Sequence, residues 1–180
     1  MKTNILHSVF LFTLAGYIFF CLSGCASIIS KEIRRQVVEE LTLSVVAKAP
    51  ESYKGKTVLW SGVIINSINL KEGTMIEVLQ KPPDFRGEPK DVDYSEGRFL
   101  ILDPRYLDVA IYTRGRKITV AGVVRGKKVR PLGEVEYTYP LISAKEIYLW
   151  PVEREERYYP FCPYWYPPWR YYPYGHPRWW

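Results

Sequence analysis

Histidine is almost missing from this chain of 180 residues: His7 and His176 are the only two, one near each end. A histidine-based catalytic centre or metal site is therefore excluded from the central region. Cysteine is nearly as scarce, with Cys21, Cys25 and Cys162 making up the full set. That is too few, and too unevenly placed, for a disulfide framework. No phosphate loop, serine elbow or metal-ligand spacing is present. Carboxylates are there (Glu51, Asp84, Glu88, Asp91, Asp93, Glu96, Asp103 and Asp108), mostly in expected loops and in no motif. Two of them would suffice for glycoside hydrolysis, but almost any chain of this length offers such a pair. The sequence thus points away from an enzyme, and no cofactor or metal is expected. A long apolar run is lacking as well. The best stretch, about Val9 to Leu22, falls short of the roughly 20 residues that span a bilayer.

What that stretch does resemble is the core of a secretory leader. Met1-Lys2-Thr3-Asn4 supplies one positive charge, the apolar run follows, and Leu22-Ser23-Gly24-Cys25 closes it. The small residues Ser23 and Gly24 let an extended backbone enter a signal-peptidase groove, with Leu22 before them. The thiol that follows can take a thioether-linked diacylglycerol. Run, small residues and cysteine occur in the order of a bacterial lipobox, so residues 1–24 are expected to be removed and Cys25 to carry a diacylglycerol and an N-acyl (palmitate-type) chain. Competing readings are an ordinary cysteine behind an ordinary signal, or an uncleaved anchor at residues 5–22. Ala26 and Ser27 include no aspartate, which in lipoproteins of double-membraned bacteria implies sorting to the outer membrane. With Cys21 removed and Cys25 acylated, Cys162 is left alone, either buried by aromatic neighbours or pairing with another chain.

Loss of residues 1–24 takes away only Lys2 among the charges and leaves 156 residues with a net charge of +5. That length suits one domain with a real core plus an extension. The charges are mixed, except for Arg125, Lys127, Lys128 and Arg130. Nucleic acid is a poor partner outside the cytoplasm, so the cluster is read as a solvated hairpin tip or as a contact for anionic lipid or lipopolysaccharide phosphates.

Residues 25–49 are expected to link anchor and domain. From Ser30, Ile33, Val37, Val38, Leu41 and Val45 recur at helical spacing. Thr42 can restart a second short helix after a bend, and Pro50 stops it. This segment lays an apolar stripe on the domain, or else lies on the membrane with Lys31, Arg34 and Arg35 facing phosphates. The domain proper, 50–152, then reads as β-rich. Thr57 to Ile68 is a long strand interrupted by Gly62, which marks a bulge or bend. Met75 to Leu79 returns antiparallel. Lys81 to Glu96 is a surface loop with almost nothing to bury, and Gly97 to Leu102 a third strand. Asp103-Pro104 opens a short internal helix to about Ala110. Strands follow at Lys117 to Val124, near Glu134 to Tyr139, and from Leu141 to Trp150, with Pro140 breaking the last two apart. The expected fold is all-β: a small antiparallel barrel of five or six strands of the oligonucleotide/oligosaccharide-binding (OB) type, because closure removes edges with so few strands. A half-open sheet packed on the N-terminal helix is the alternative.

These residues also carry a family resemblance. Gly55-Lys56-Thr57-Val58-Leu59-Trp60-Ser61-Gly62-Val63-Ile64, Gly97-Arg98-Phe99, Leu102-Asp103-Pro104, Gly115 to Gly122, Gly133-Glu134 with Tyr137-Thr138-Tyr139-Pro140, and Leu149-Trp150 resemble, in that order, the Slp family of starvation-inducible outer-membrane lipoproteins. Ser61 departs from the pattern where a second glycine is expected beside Gly62. The resemblance implies a lipid-anchored envelope protein linked to stress or stationary phase, with no established enzymatic activity and no ligand or active site to carry over.

Past Trp150, where the resemblance stops, composition changes abruptly. Residues 153–180 hold 12 aromatics and 6 prolines, among them Trp165, Trp169, Trp179 and Trp180. Such a tract is extended and polyproline-like. Its rings suit a membrane interface, the sugars of envelope glycan or another copy of the chain; the bland alternative is an extension of no defined role. Together these readings describe an outer-membrane lipoprotein anchored at Cys25, its domain periplasmic, acting as a non-catalytic structural or binding module of the envelope. The expected partners are outer-membrane lipid and, through the tail, peptidoglycan or lipopolysaccharide. A competing reading is a glycan- or small-ligand-binding barrel that uses Trp60, Trp150 and the tail aromatics as stacking platforms.

Overall fold

The computed structural model describes residues 28–152. The leader, Cys25 and the aromatic tail lie outside the described residues. Two short helices, α1 (Lys31–Arg34) and α2 (Leu43–Lys48), and a 3-10 turn at Pro50–Tyr53 precede five strands: β1 (Thr57–Leu70), β2 (Gly73–Gln80), β3 (Arg98–Asp103), β4 (Lys117–Leu132) and β5 (Val135–Leu149). The strands close a barrel in the order β1-β2-β3-β5-β4. Every pairing is antiparallel except β3 with β5. A five-stranded Greek-key ring of this kind is the OB arrangement expected from the sequence.

Closure depends on β1 serving two partners. Thr57 to Val63 pairs with β4, while Gly62 to Leu70 pairs with β2, so the strand changes neighbours around Gly62. A Cβ there would lie 2.2 Å from the carbonyl oxygen of Leu79, which is why the position needs glycine. The bulge itself falls slightly later, between Ile64 and Asn66. Inside the ring, β-branched and aromatic side chains from all five strands form one core, including Val58, Ile76, Phe99, Val120 and Ile142. Trp60 sits among them, edge-on to Phe99 with ring centroids 5.1 Å apart, its indole N–H donating to Leu41 O at 2.9 Å.

Several local expectations give way. The helix read from Ser30 to Ala49 is two short helices joined by two turns, with Val37 between the turns bridging in parallel to Thr57 at the start of β1. Thr42 does restart the second, its hydroxyl accepting the Val45 N–H. No helix forms at Asp103 to Ala110. Asp103 ends β3 instead, and its buried carboxylate accepts the N–H of Arg105 and both arms of that guanidinium at 2.7–2.9 Å, holding a turn. Leu43 and Val46 of α2 join the barrel core from the N-terminal side. The basic cluster is not a hairpin tip: β4 runs through it to Leu132, exposing Arg125 and Lys127 and half-burying Lys128 and Arg130. Nor does Pro140 break the chain, for β5 is continuous. The ladder to β3 starts only at Leu141, so on that side proline lies at an edge where a missing N–H is tolerated.

Candidate functional site

In OB barrels, ligands are held by the outward face of strands 2 and 3 and the loops beside it. Register decides which residues form that face here. Ile76, Val78, Phe99 and Ile101 point into the core, which leaves Met75, Glu77, Leu79, Arg98, Leu100 and Leu102 on the outside. Yet Met75 and Leu100 are buried. They belong to a second apolar cluster with Tyr139, against which Ile68, Leu70, Tyr137 and Leu141 pack. The far half of the β4–β5 hairpin therefore roofs the face. Tyr137 and Tyr139 meet edge to face at 4.6 Å. The Tyr137 hydroxyl accepts the Arg98 N–H at 3.2 Å, and the Tyr139 hydroxyl donates to Glu77 Oε1 at 3.3 Å, beside the Arg98–Glu77 ion pair at 2.8 Å. Burial, and then the neighbouring Glu77 charge, push the Tyr139 phenol above its ordinary value, so it stays a donor. The surface that would stack bases or sugars is filled by the protein's own tyrosines.

The opposite end of β2 carries the N-terminal entry and a rigid turn. Ile29 is fully buried, and the Ser30 N–H donates to Glu146 Oε2 at 2.9 Å. Ile28 lies against the turn Asp84 to Glu88, where a Cβ on Gly87 (φ +91°) would meet Ile28 Cδ1 at 3.1 Å. Asp84 Oδ1 accepts the N–H groups of Arg86 and Glu88 at 2.8 Å each. Partial desolvation pushes the Asp84 carboxyl up, but those bonds and the Arg86 charge outweigh it and hold the group below its ordinary range. The turn is fastened to the barrel through the Gly87 carbonyl, which accepts from Ser61 Oγ at 2.9 Å and Thr119 Oγ1 at 2.7 Å; Trp150 Nε1 donates to that threonine at 2.9 Å. Glu88 pairs with Lys117 at 2.8 Å and Arg86 at 2.7 Å.

Leu22, Ser23, Gly24, Cys25, Trp165, Trp169, Trp179 and Trp180 lie outside the described residues. Trp60 and Trp150 do not serve as platforms, being 5% and 6% exposed. Four of the carboxylates are drawn into separate structural contacts: Asp103 with Arg105, Glu88 with Lys117, Glu51 with Lys54, and Glu96 accepting the Ser44 N–H at the start of α2. Two features escaped the sequence reading. Ser61, marked only as a departure from a glycine, supplies the hydroxyl that fastens the Gly87 turn. Glu88, placed in a loop with almost nothing to bury, is mostly enclosed. A carboxylate and a glycine side by side at Gly87-Glu88 were the available signal.

A closed ring of five strands, the first starting at Thr57, defines the class, a small OB-type β-barrel domain. Comparison narrows it. The chain belongs to the outer membrane lipoprotein Slp family, whose pattern matches residues 22–179 and so reaches into the tail, further than the resemblance ending at Trp150. It is 28% identical over 133 residues to the outer membrane protein Slp of Escherichia coli K12, covering 73% of this chain and 70% of that one. It is 25% identical over 137 residues to the uncharacterized lipoprotein YeaY of the same organism, covering 76% and 70%. Among solved structures, a small single-stranded DNA-binding protein from Streptomyces coelicolor aligns with 53% of this chain and 94% of its own at 14% identity and a TM-score of 0.34.

Proposed function

We propose that this protein is held at the outer membrane by acyl chains on Cys25 and acts there as a non-catalytic structural or binding module of the envelope, in a stress- or starvation-related role. The observation that carries the reading is the extent of the family match, which begins at residue 22 and so takes in Leu22, Ser23, Gly24 and Cys25 together with the whole barrel. Two or three acyl chains bury many methylenes at about 0.8 kcal/mol each, enough to make anchoring effectively permanent where one chain would exchange. The domain faces the periplasm, and its partners are outer-membrane lipid and, through Trp165, Trp169, Trp179 and Trp180, peptidoglycan or lipopolysaccharide.

The test is intact mass and membrane fractionation in a double-membraned host. Wild type is expected in the outer-membrane fraction with a lipid-modified mass beginning at Cys25, and Cys25→Ala as an unprocessed, unacylated precursor. Normal processing of the variant, or an unmodified wild-type mass, overturns the proposal.

A further inference from the structure

Phe85 is 95% exposed at the tip of the Asp84 to Glu88 turn. An exposed phenyl on a mobile loop would mean little. This one is presented by a turn closed by the Asp84 carboxylate and fastened to the barrel through Gly87. The Arg86 guanidinium lies 5.8 Å from the Phe85 ring centroid and 5.9 Å from that of Trp150, bracing the turn against the body.

The position of the turn gives the phenyl a partner. Ile28, packed on Gly87, is three residues after Cys25, a separation that extended chain spans in at most about 10 Å. We infer that the Asp84–Glu88 turn is a second membrane contact, with Phe85 inserted at the headgroup–acyl boundary of the bilayer that holds the Cys25 lipid. This rests on the anchoring proposed above and adds an orientation to it: the barrel docks with its Gly87 end on the membrane. The end of the described chain agrees, because Trp150 touches the same turn and Val152 lies beside Glu88. Aromatic rings favour this interfacial layer.

The experiment uses the full chain, expressed in a double-membraned host, in a Cys162→Ser background so that a new thiol is the single labelling site. Phe85→Cys and, as a control, Tyr106→Cys are labelled with nitrobenzoxadiazole in phosphatidylethanolamine–phosphatidylglycerol vesicles containing a nitroxide-bearing lipid. Tyr106 is 67% exposed and bonds Lys71 O, at the other end of β2. The expected result is blue-shifted, quenched emission at position 85 and water-like, unquenched emission at 106, from protein whose mass shows acylated Cys25. Acylated protein with a water-like probe at 85 overturns the docking and leaves the anchor standing. Equal quenching at both positions overturns the orientation. A mass without acyl groups overturns the anchor and this inference with it.

Discussion

Asp103 shows how a single side chain redirects the chain after β3. It is 1% exposed, and its bonds to Arg105 replace the helix start that Asp-Pro advertises. Burial pushes its carboxyl up, but the Arg105 hydrogen bonds and charge outweigh that and hold it below its ordinary value. With the folded value below the unfolded one of about 3.9, the resulting stability is fully present above roughly pH 4–5 and is lost as pH falls through that range toward the folded value. Arg105 is largely solvent-exposed, so screening keeps the contribution modest. Asp103→Asn should lower stability at neutral pH by about 1–3 kcal/mol. In urea titrations the gap between wild type and variant should narrow as pH drops from 7 to 3; a pH-independent gap would show that charge plays no part.

At the scale of elements, the β4–β5 hairpin covers the outward β2–β3 face that OB barrels use for ligands. Replacing its roof residues in a Tyr137→Ala/Tyr139→Ala variant should cost roughly 3–5 kcal/mol for the fully buried ring and uncover Met75 and Leu100. An apolar fluorescent dye should then bind the variant and not wild type; unchanged dye binding and an unchanged denaturation midpoint would mean the face is not covered in solution. The sequence made β1 legible because Gly62 interrupts a β-branched run where the strand must change partners. The closed ring was legible too, since so few short strands leave few other ways to hide edges. The roof was not. Tyr137 and Tyr139 alternate on a half-polar strand, and alternation alone cannot say whether the outer face meets water or another part of the chain. Pro140 misled for a related reason: its cost depends on which edge lacks a neighbour, which is a tertiary fact. The end of the barrel with the Asp84 turn was illegible in the same way, since Ser61, Gly87 and Thr119 are far apart in sequence and meet only through closure.

At the scale of the whole molecule, the buried core among the described residues runs from Ile29 to Trp150. Ending the chain after Val152 should therefore leave the cooperative urea transition of the barrel where it is in the full chain. Any function of residues 153–180 should be lost without loss of fold. A midpoint that falls on truncation would make the tail part of the folded unit, and unchanged peptidoglycan and lipopolysaccharide binding would remove the tail from the contacts proposed above.

The Ser30–Glu146 bond also sets an order of events in time. Glu146 lies on β5, the last strand, which closes the ring against β3 and β4. Folds built from such distant pairings form over roughly milliseconds to seconds, slower than local ones. Until β5 arrives, Ser30 has no Glu146 to bond, so on the anchoring proposed above Cys25 would be acylated while Ser30 is still unseated. The last strand to be made thus commits the first residues of the domain.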